Sequence, residues 1–348
     1  MKDALDIEQP LTLPHAEPPA QGTIIEVAPG IRWARLPLPF RLNHVNVWLL
    51  EEPDGWTLID CGLDDATTRE VWQRLVETVL EGRPIRRIIA THGHTDHVGL
   101  AGHLVERFDV PFLMTLGEWQ AARLRYAGTR LPVGEHIRRY LAEHGCDPAT
   151  IEAYAEDRRR MGRHLGLQPD RFQRLRNGDE IVFGGRRWQV IVAGGHADEH
   201  ASFYSAEDGI LIAGDQILQR ITPSIGVYPE QPDSDPLSDY LASLPRFGRL
   251  PPSILVLPSH GLPFYGLHRR VADLADHHDE RLGALETLID VPRTATECSQ
   301  VLFERAVREG QGRLALGETL AHLHHLRTQG RAEQDRDKHG RIIFLRVD

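Results

Sequence analysis

The sequence predicts an α/β fold carrying a small helical appendage at its C-terminal end, and three observations lead there. Short apolar runs closed by glycine or proline alternate with stretches of helical periodicity as far as about residue 267. From His268 onward helical patterning takes over until a last polar turn and strand. The chain has 348 residues, more than one domain usually holds, and its 41% hydrophobic content can fill a sizeable core.

Taken in order, residues 1–21 are polar and proline-rich and read as a flexible leader. Acidic residues stand where a secretory signal would need basic ones, and no apolar run approaches the roughly 20 residues that span a bilayer. Strands are expected at Thr23–Val27, Ile31–Leu36, Val45–Glu51 and Trp56–Ile59, because Pro-Gly and Pro-Asp-Gly turns separate these β-branched and aromatic runs. Pro84–Ala90 reads as a further strand and Val98–Phe108 as a helix with Leu100, Leu104 and Val105 on its apolar side. Residues 117–170 are charged and helical in pattern, so an inserted helical hairpin or lid is expected. Tyr126, His136, Tyr140 and Met161 would project from it over the site, while Arg158, Arg159 and Arg160 form a solvated face.

Apolar runs return at Trp188–Ala193, Ile210–Ala213 and Ser253–Leu257. After the main domain, expected over 22–267, residues 268–348 form the appendage. Its helices are expected at Arg269–Ile289, Ala295–Val307 and Leu314–Arg327, with a polar turn and strand over Arg331–Val347.

The chemistry concentrates in Thr91-His92-Gly93-His94-Thr95-Asp96-His97, directly after the Pro84–Ala90 strand. Three imidazoles and a carboxylate within six residues are borderline ligands of the kind zinc accepts, with no cysteine nearby to suggest a thiolate site. An N-cap role for Asp96 would explain one residue and none of the histidines. His92 and His94, two apart in an extended loop, can point to one ion. Asp96 and His97, at the turn into the helix, face elsewhere and can serve a second. More ligands are then needed, and each later apolar run ends on a candidate: Gly195-His196, Gly214-Asp215 and His260-Gly261. Glycine beside each suits a backbone that must turn sharply or approach something bulky.

With these motifs in order, the chain over about Thr23–Leu267 resembles the metallo-beta-lactamase superfamily, whose His-x-His-x-Asp-His motif precedes a Gly-His, a Gly-Asp and a late His-Gly. Asp60 in Leu58-Ile59-Asp60-Cys61-Gly62 is similar to the family's first aspartate. The resemblance implies a sandwich of two mixed sheets flanked by helices, with two divalent metal ions at one edge. Zinc is the expected metal, and iron or manganese suits the same ligands. By that likeness His92, His94 and His196 hold one ion, Asp96, His97 and His260 the other, and Asp215 bridges them. Asp60 orients the loop by hydrogen bonds. The implied chemistry is hydrolysis by a hydroxide held between the ions, with Asp96 accepting the proton. The family's usual Thr-Pro after Gly-His is replaced here by Ala197-Asp198, so that hydroxyl is missing. His200, Arg220, Tyr228 and Tyr265 are candidates for contacting substrate.

Helix, helix and hairpin in that order resemble the winged-helix appendage of the beta-lactamase-like endoribonucleases. From His268 to the C-terminus, however, 13 basic residues face 14 acidic ones, and the whole chain carries a net charge of −10. Binding through phosphate neutralisation is therefore disfavoured, and dimerisation or cleft closure suits the appendage better. Arginine supplies 38 of the 40 basic residues, which reflects composition rather than repeated anion recognition. The histidines at 322, 324 and 325 have no acidic partner in the pattern and read as surface residues.

The expected activity is a cleavage of a small thioester, ester or lactone, as in the hydroxyacylglutathione hydrolases. A single-strand endoribonuclease is the alternative, and a metal-binding protein without turnover is a third reading. Intact ligand positions argue against the third. The three cysteines are widely spaced and odd in number, which with the absent signal points to a reducing, cytoplasmic setting and a small-molecule substrate, away from membranes.

Overall fold

The computed structural model describes residues 10–347. Its first sheet contains β1 (Ile25–Ala28), β2 (Ile31–Pro37), β3 (His44–Glu52), β4 (Gly55–Ile59), β5 (Ile85–Ile89), β6 (Phe112–Thr115) and β7 (Gln173–Leu175), arranged in that order. The first four strands pair antiparallel and the last four parallel, so the sheet is mixed. Helices α1 (Ala66–Thr78), α2 (Thr95–Val98) and α3 (Ala101–Phe108) interrupt it, followed by α4 (Leu116–Gly128), α5 (Glu135–Glu143) and α6 (Pro148–Arg163).

The second sheet contains β8 (Glu180–Phe183), β9 (Arg186–Ala193), β10 (His200–Ser205), β11 (Ile210–Gly214) and β12 (Leu255–Pro258). Only β11 and β12 run parallel, and α7 (Pro236–Phe247) connects them. Then come α8 (Leu267–Leu288), α9 (Ala295–Leu302), α10 (Glu304–Arg308), α11 (Gly312–Thr328) and the antiparallel hairpin of β13 (Ala332–Arg336) and β14 (Ile342–Arg346). Two mixed sheets with helices outside each are the architecture the motifs implied.

Alternation along β3 shows how the layers form. Val45, Val47 and Leu49 face outward onto Val71, Trp72 and Leu75 of α1, while Trp48 and Leu50 face Trp188, Phe203 and Leu257 of the opposite sheet. The second sheet's outer face, with Ile191, Leu211 and Val256, meets α7 and α8. That cluster continues without a break through Ile137 and Leu141 of α5, Tyr154 of α6, Leu320 and Leu323 of α11 and Phe344 of β14.

Several sequence expectations change as a result. The insertion over 117–170 is three helices instead of a hairpin, and α5 and α6 are built into the same core as the C-terminal elements. Tyr140 lies on His144 within that core, and Tyr126 packs on the first sheet's outer layer beneath Arg130. Neither is placed as a lid residue. The expected leader is attached over its described part: Thr12 pairs with Tyr265 through two backbone hydrogen bonds of 3.2 and 2.9 Å, and Leu11 packs on the core. Residues 1–9 of that leader lie outside the described residues. The helix expected at Val98–Phe108 begins only at Ala101, because Leu100 leaves the helical region. The one expected at 295–307 breaks at Phe303 for the same reason.

His322, His324 and His325 are buried, contrary to the surface assignment, because α11 is covered on several sides. His322 Nε2 lies 3.1 Å from His278 Nδ1, His324 Nδ1 donates to the Ser234 carbonyl, and His325 Nδ1 meets Ser238 Oγ at 2.8 Å. Cys61, Cys146 and Cys298 are buried free thiols. Among the described residues no helix is long and apolar enough to cross a membrane.

Candidate metal centre

Parallel pairs β4–β5 and β11–β12 send their C-terminal ends to one edge of the sandwich, and antiparallel β9 ends there too. Asp60 follows β4, the His92–His97 segment follows β5, His196 follows β9, Asp215 follows β11 and His260 follows β12. Backbone hydrogen bonds from Ala201 N to Thr91 O (2.8 Å) and Asn46 N to Ser259 O (2.7 Å) lock the two sheets together at this edge.

The structure brings His92, His94 and His196 into one group, His97 with His92 and Asp215 into a second, and Asp96, His97 and His260 into a third. His92 Nε2, His94 Nδ1 and His196 Nε2 form a triangle with sides of 2.9, 3.0 and 3.1 Å. Hydrogen bonding assigns the tautomers. His196 Nδ1 donates to the Ser224 carbonyl at 2.9 Å, leaving Nε2 as a lone pair. Thr91 Oγ1 donates to Asp60 and so accepts from His92 Nδ1 at 3.0 Å, which leaves His92 Nε2 as a lone pair as well. Two such lone pairs 3.1 Å apart repel each other unless a cation sits between them. Ligands about 2.0–2.1 Å from zinc suit this spacing.

The neighbouring group is richer in carboxylates. His97 Nδ1 donates to Asp60 at 2.8 Å and His260 Nδ1 to the His44 carbonyl at 2.8 Å, so both Nε2 atoms face inward. His97 Nε2 stands 3.6 Å from Asp96 and from Asp215, and His260 Nε2 stands 3.4 and 3.3 Å from the same two. Asp215 Oδ2 is 3.3 Å from both His196 Nε2 and His260 Nε2, between the groups. His97 Nε2 and Asp215 Oδ1 are buried without a hydrogen-bond partner, and orphaned atoms of this kind call for an ion. The donor set therefore fits divalent cations.

Electrostatics separates the two groups. Burial, with crowding by neighbouring imidazoles, holds His92 and His94 well below the usual histidine value. Burial also pushes His97 and His260 down, but the adjacent carboxylates outweigh it: His97 is held well above its usual value and His260 rises to about 10. Asp215 is held well below the usual carboxylate range. Burial alone would raise it, and His260 and His97 reverse that. Asp96, with 19% of its side chain exposed, is the carboxylate at this centre most open to water.

Asp60 reaches these groups indirectly. It accepts the Thr91 N–H at 2.8 Å, the Thr91 hydroxyl and His97 Nδ1, and it adopts a left-handed φ of 65°. The sequence reading missed Thr91, His44 and Ser224, which in the same way orient His92, His260 and His196. The Ser224 carbonyl is the acceptor that orients His196. Its loop rests on α11 through Val227 N to Gly317 O at 3.0 Å.

The four candidates for substrate contact lie in different surroundings. His200 is completely buried and accepts the Asp215 N–H at 3.0 Å, so it holds the backbone of Asp215. Arg220 is exposed, and among the described contacts none ties it to the metal groups. Tyr265 is 36% exposed with its backbone paired to Thr12. Tyr228 packs against Gly317 beneath the Arg313 guanidinium.

A family profile described as "Metallo-beta-lactamase superfamily" matches residues 41–260, and one described as "Metallo-beta-lactamase-like, C-terminal domain" matches 282–347. A crystal structure of a beta-lactamase domain protein from Burkholderia ambifaria superposes with a TM-score of 0.89 at 38% identity, covering 97% of this chain and 98% of that one. The metallo-beta-lactamase family protein TTHA1429 from Thermus thermophilus gives a TM-score of 0.79 at 30% identity, over 92% of this chain and all of its own. The probable metallo-hydrolase YqjP of Bacillus subtilis is 28% identical over 304 residues, 83% of this chain and 89% of that protein.

Proposed function

We propose, from the premise that this chain belongs to the metallo-beta-lactamase superfamily, that it is a dinuclear zinc hydrolase of a small thioester, ester or lactone. The observation that carries the proposal is the pairing of two groups of three potential ligand side chains around one shared carboxylate. His92, His94 and His196 would hold the first ion, Asp96, His97 and His260 the second, and Asp215 would contribute to both. When bound, such ions supply an acidified water and polarise a carbonyl oxygen.

The protein's own groups do the rest. Asp96, reached by solvent and 3.4 Å from His260, would take the proton released from water. Asp60 keeps His97 in the tautomer whose Nε2 faces inward, and the His44 carbonyl does so for His260. His44 itself stays neutral, its pKa pushed down to about 3 by burial, Arg35 and His260. Its Nε2 accepts the Gly261 N–H at 2.9 Å and holds the His260 turn.

A carbonyl substrate suits a chain of net charge −10 better than a polyanion does. Metal analysis of purified protein is expected to give about two equivalents of zinc, with iron or manganese as measurable alternatives. Acyl-thioesters, esters and lactones are then assayed beside a labelled single-stranded RNA, with His94→Ala and Asp215→Ala as controls. Each substitution is expected to lower turnover at least a hundredfold. Cleavage of RNA alone would transfer the assignment to the endoribonucleases, and activity surviving both substitutions would place the chemistry elsewhere.

A further inference from the structure

Gly93 separates the two ligands His92 and His94, and both polar groups of this residue are held from one helix. Glu118, in the first turn of α4, is 2% exposed and accepts the Gly93 N–H on Oε2 at 2.8 Å. Arg125, seven residues on and so on the same face of α4, donates to the Gly93 carbonyl. Glu118 Oε1 accepts a second backbone donor, the Glu199 N–H, at 3.0 Å. Glu199 lies three residues after His196 and directly before His200, whose Nε2 takes the Asp215 N–H.

Helix α4 grips Glu199 from two further directions. Thr115 Oγ1, at its N-cap, donates to the Glu199 carbonyl at 2.8 Å, and the Gly117 N–H donates to the Glu199 carboxylate at 2.7 Å. One buried carboxylate thus joins the loop carrying His92 and His94 to the loop carrying His196. There is no slack at the junction, since a Cβ on Gly93 would stand 2.6 Å from the Glu118 carbonyl oxygen.

We infer that Glu118, seconded by Arg125, is a positioning residue that sets the spacing of the first metal site. It belongs to the inserted helices, not to any ligand loop, and this gives the insertion a task in metal binding. The inference rests on the dinuclear reading above. Supports of this kind are worth about 10–100-fold in metal affinity. Glu118→Ala removes both acceptors. Glu118→Gln keeps the volume and one acceptor but turns the other into a donor facing an N–H. Arg125→Gln releases the carbonyl alone.

The test is cobalt(II) binding to the metal-free full-length chain, followed by competition with a chelator and by the visible absorption of the bound ion, with melting temperature recorded for each variant. Glu118→Ala is expected to weaken the first equivalent at least about tenfold and to alter its spectrum. Glu118→Gln and Arg125→Gln should weaken it about threefold or more, while the second equivalent changes less. Asp170→Ala, which removes an exposed partner of Arg123 on the same helix, should bind as the parent does. If Glu118→Ala fails to fold, Glu118→Gln and Arg125→Gln decide the matter. Parent-like affinity and spectrum in every folded variant overturn the inference and leave the hydrolase reading intact. A parent chain that binds no cobalt overturns both.

Discussion

Asp60 shows how much of the proposed metal centre would rest on one residue outside its ligand set. Its carboxylate takes one backbone donor, one hydroxyl and one imidazole N–H, and these bonds fix the His92 and His97 tautomers together. Asp60→Asn keeps the shape but offers one oxygen in place of two. Zinc affinity is expected to fall about 10–100-fold, read by competition with a chelator, and unchanged affinity would mean that the loop holds its own tautomers. His196 follows the same logic with a carbonyl acceptor, Ser224, which no motif marks. At Gly195 the backbone has a φ of 110° and a Cβ would stand 2.3 Å from the Tyr240 Cβ. Gly195→Ala is expected to lower the melting temperature by several degrees, since both the left-handed φ and the contact oppose it.

At the scale of elements, the pairing of α8 with α11 carries a pH dependence. His278 and His322 are completely buried, and burial, followed for His278 by the charge of His322, pushes the His278 pKa down to about 3. Burial outweighs a backbone hydrogen bond to hold His322 at about 4. Arg281, His277 and His325 also face the pair and add to the depression. Both imidazoles therefore stay neutral in the folded chain and titrate near 6.5 once unfolded. Below about pH 6.5 the unfolded state binds more protons, so stability falls as the pH drops toward 4, by about 1.4 kcal/mol per pH unit for each independent histidine. Urea unfolding at pH 7 and pH 5 should show this loss, and His322→Gln should reduce it. An equal loss in the variant would mean that other groups set the acid limit. Strands and helices were largely legible in the sequence because their periodicity is local. The breaks at Leu100 and Phe303 were not, since apolar patterning continues across both.

Across the whole molecule, the continuity of the outer core decides how the chain behaves. The second sheet's outer face, α5 and α6 of the insertion, and the elements after residue 267 share one buried cluster. Heating the full chain is expected to give one cooperative transition. A chain ending at Leu267 would expose Leu211, Val256 and the apolar side of α7 to water, and is expected to be insoluble or to melt without cooperativity. A soluble fragment that melts sharply and binds two zinc ions would show that the last 81 residues are dispensable.

The sequence by itself determined which side chains converge. Asp60, His92, His94, Asp96, His97, His196, Asp215 and His260 each follow an apolar run, and the order of their motifs, through the family resemblance, marked them as one set. Only the tertiary structure decided what supports them and what lies buried. Ser224 and His44 stand 28 and 216 residues from the histidines they orient, and Glu118 is 25 and 81 residues from the two backbones it joins. His200, His278 and His322 lost contact with solvent through packing against distant elements. Hydrogen-bond partners at such separations depend on how layers stack, and a local pattern of apolar and polar residues holds no record of that.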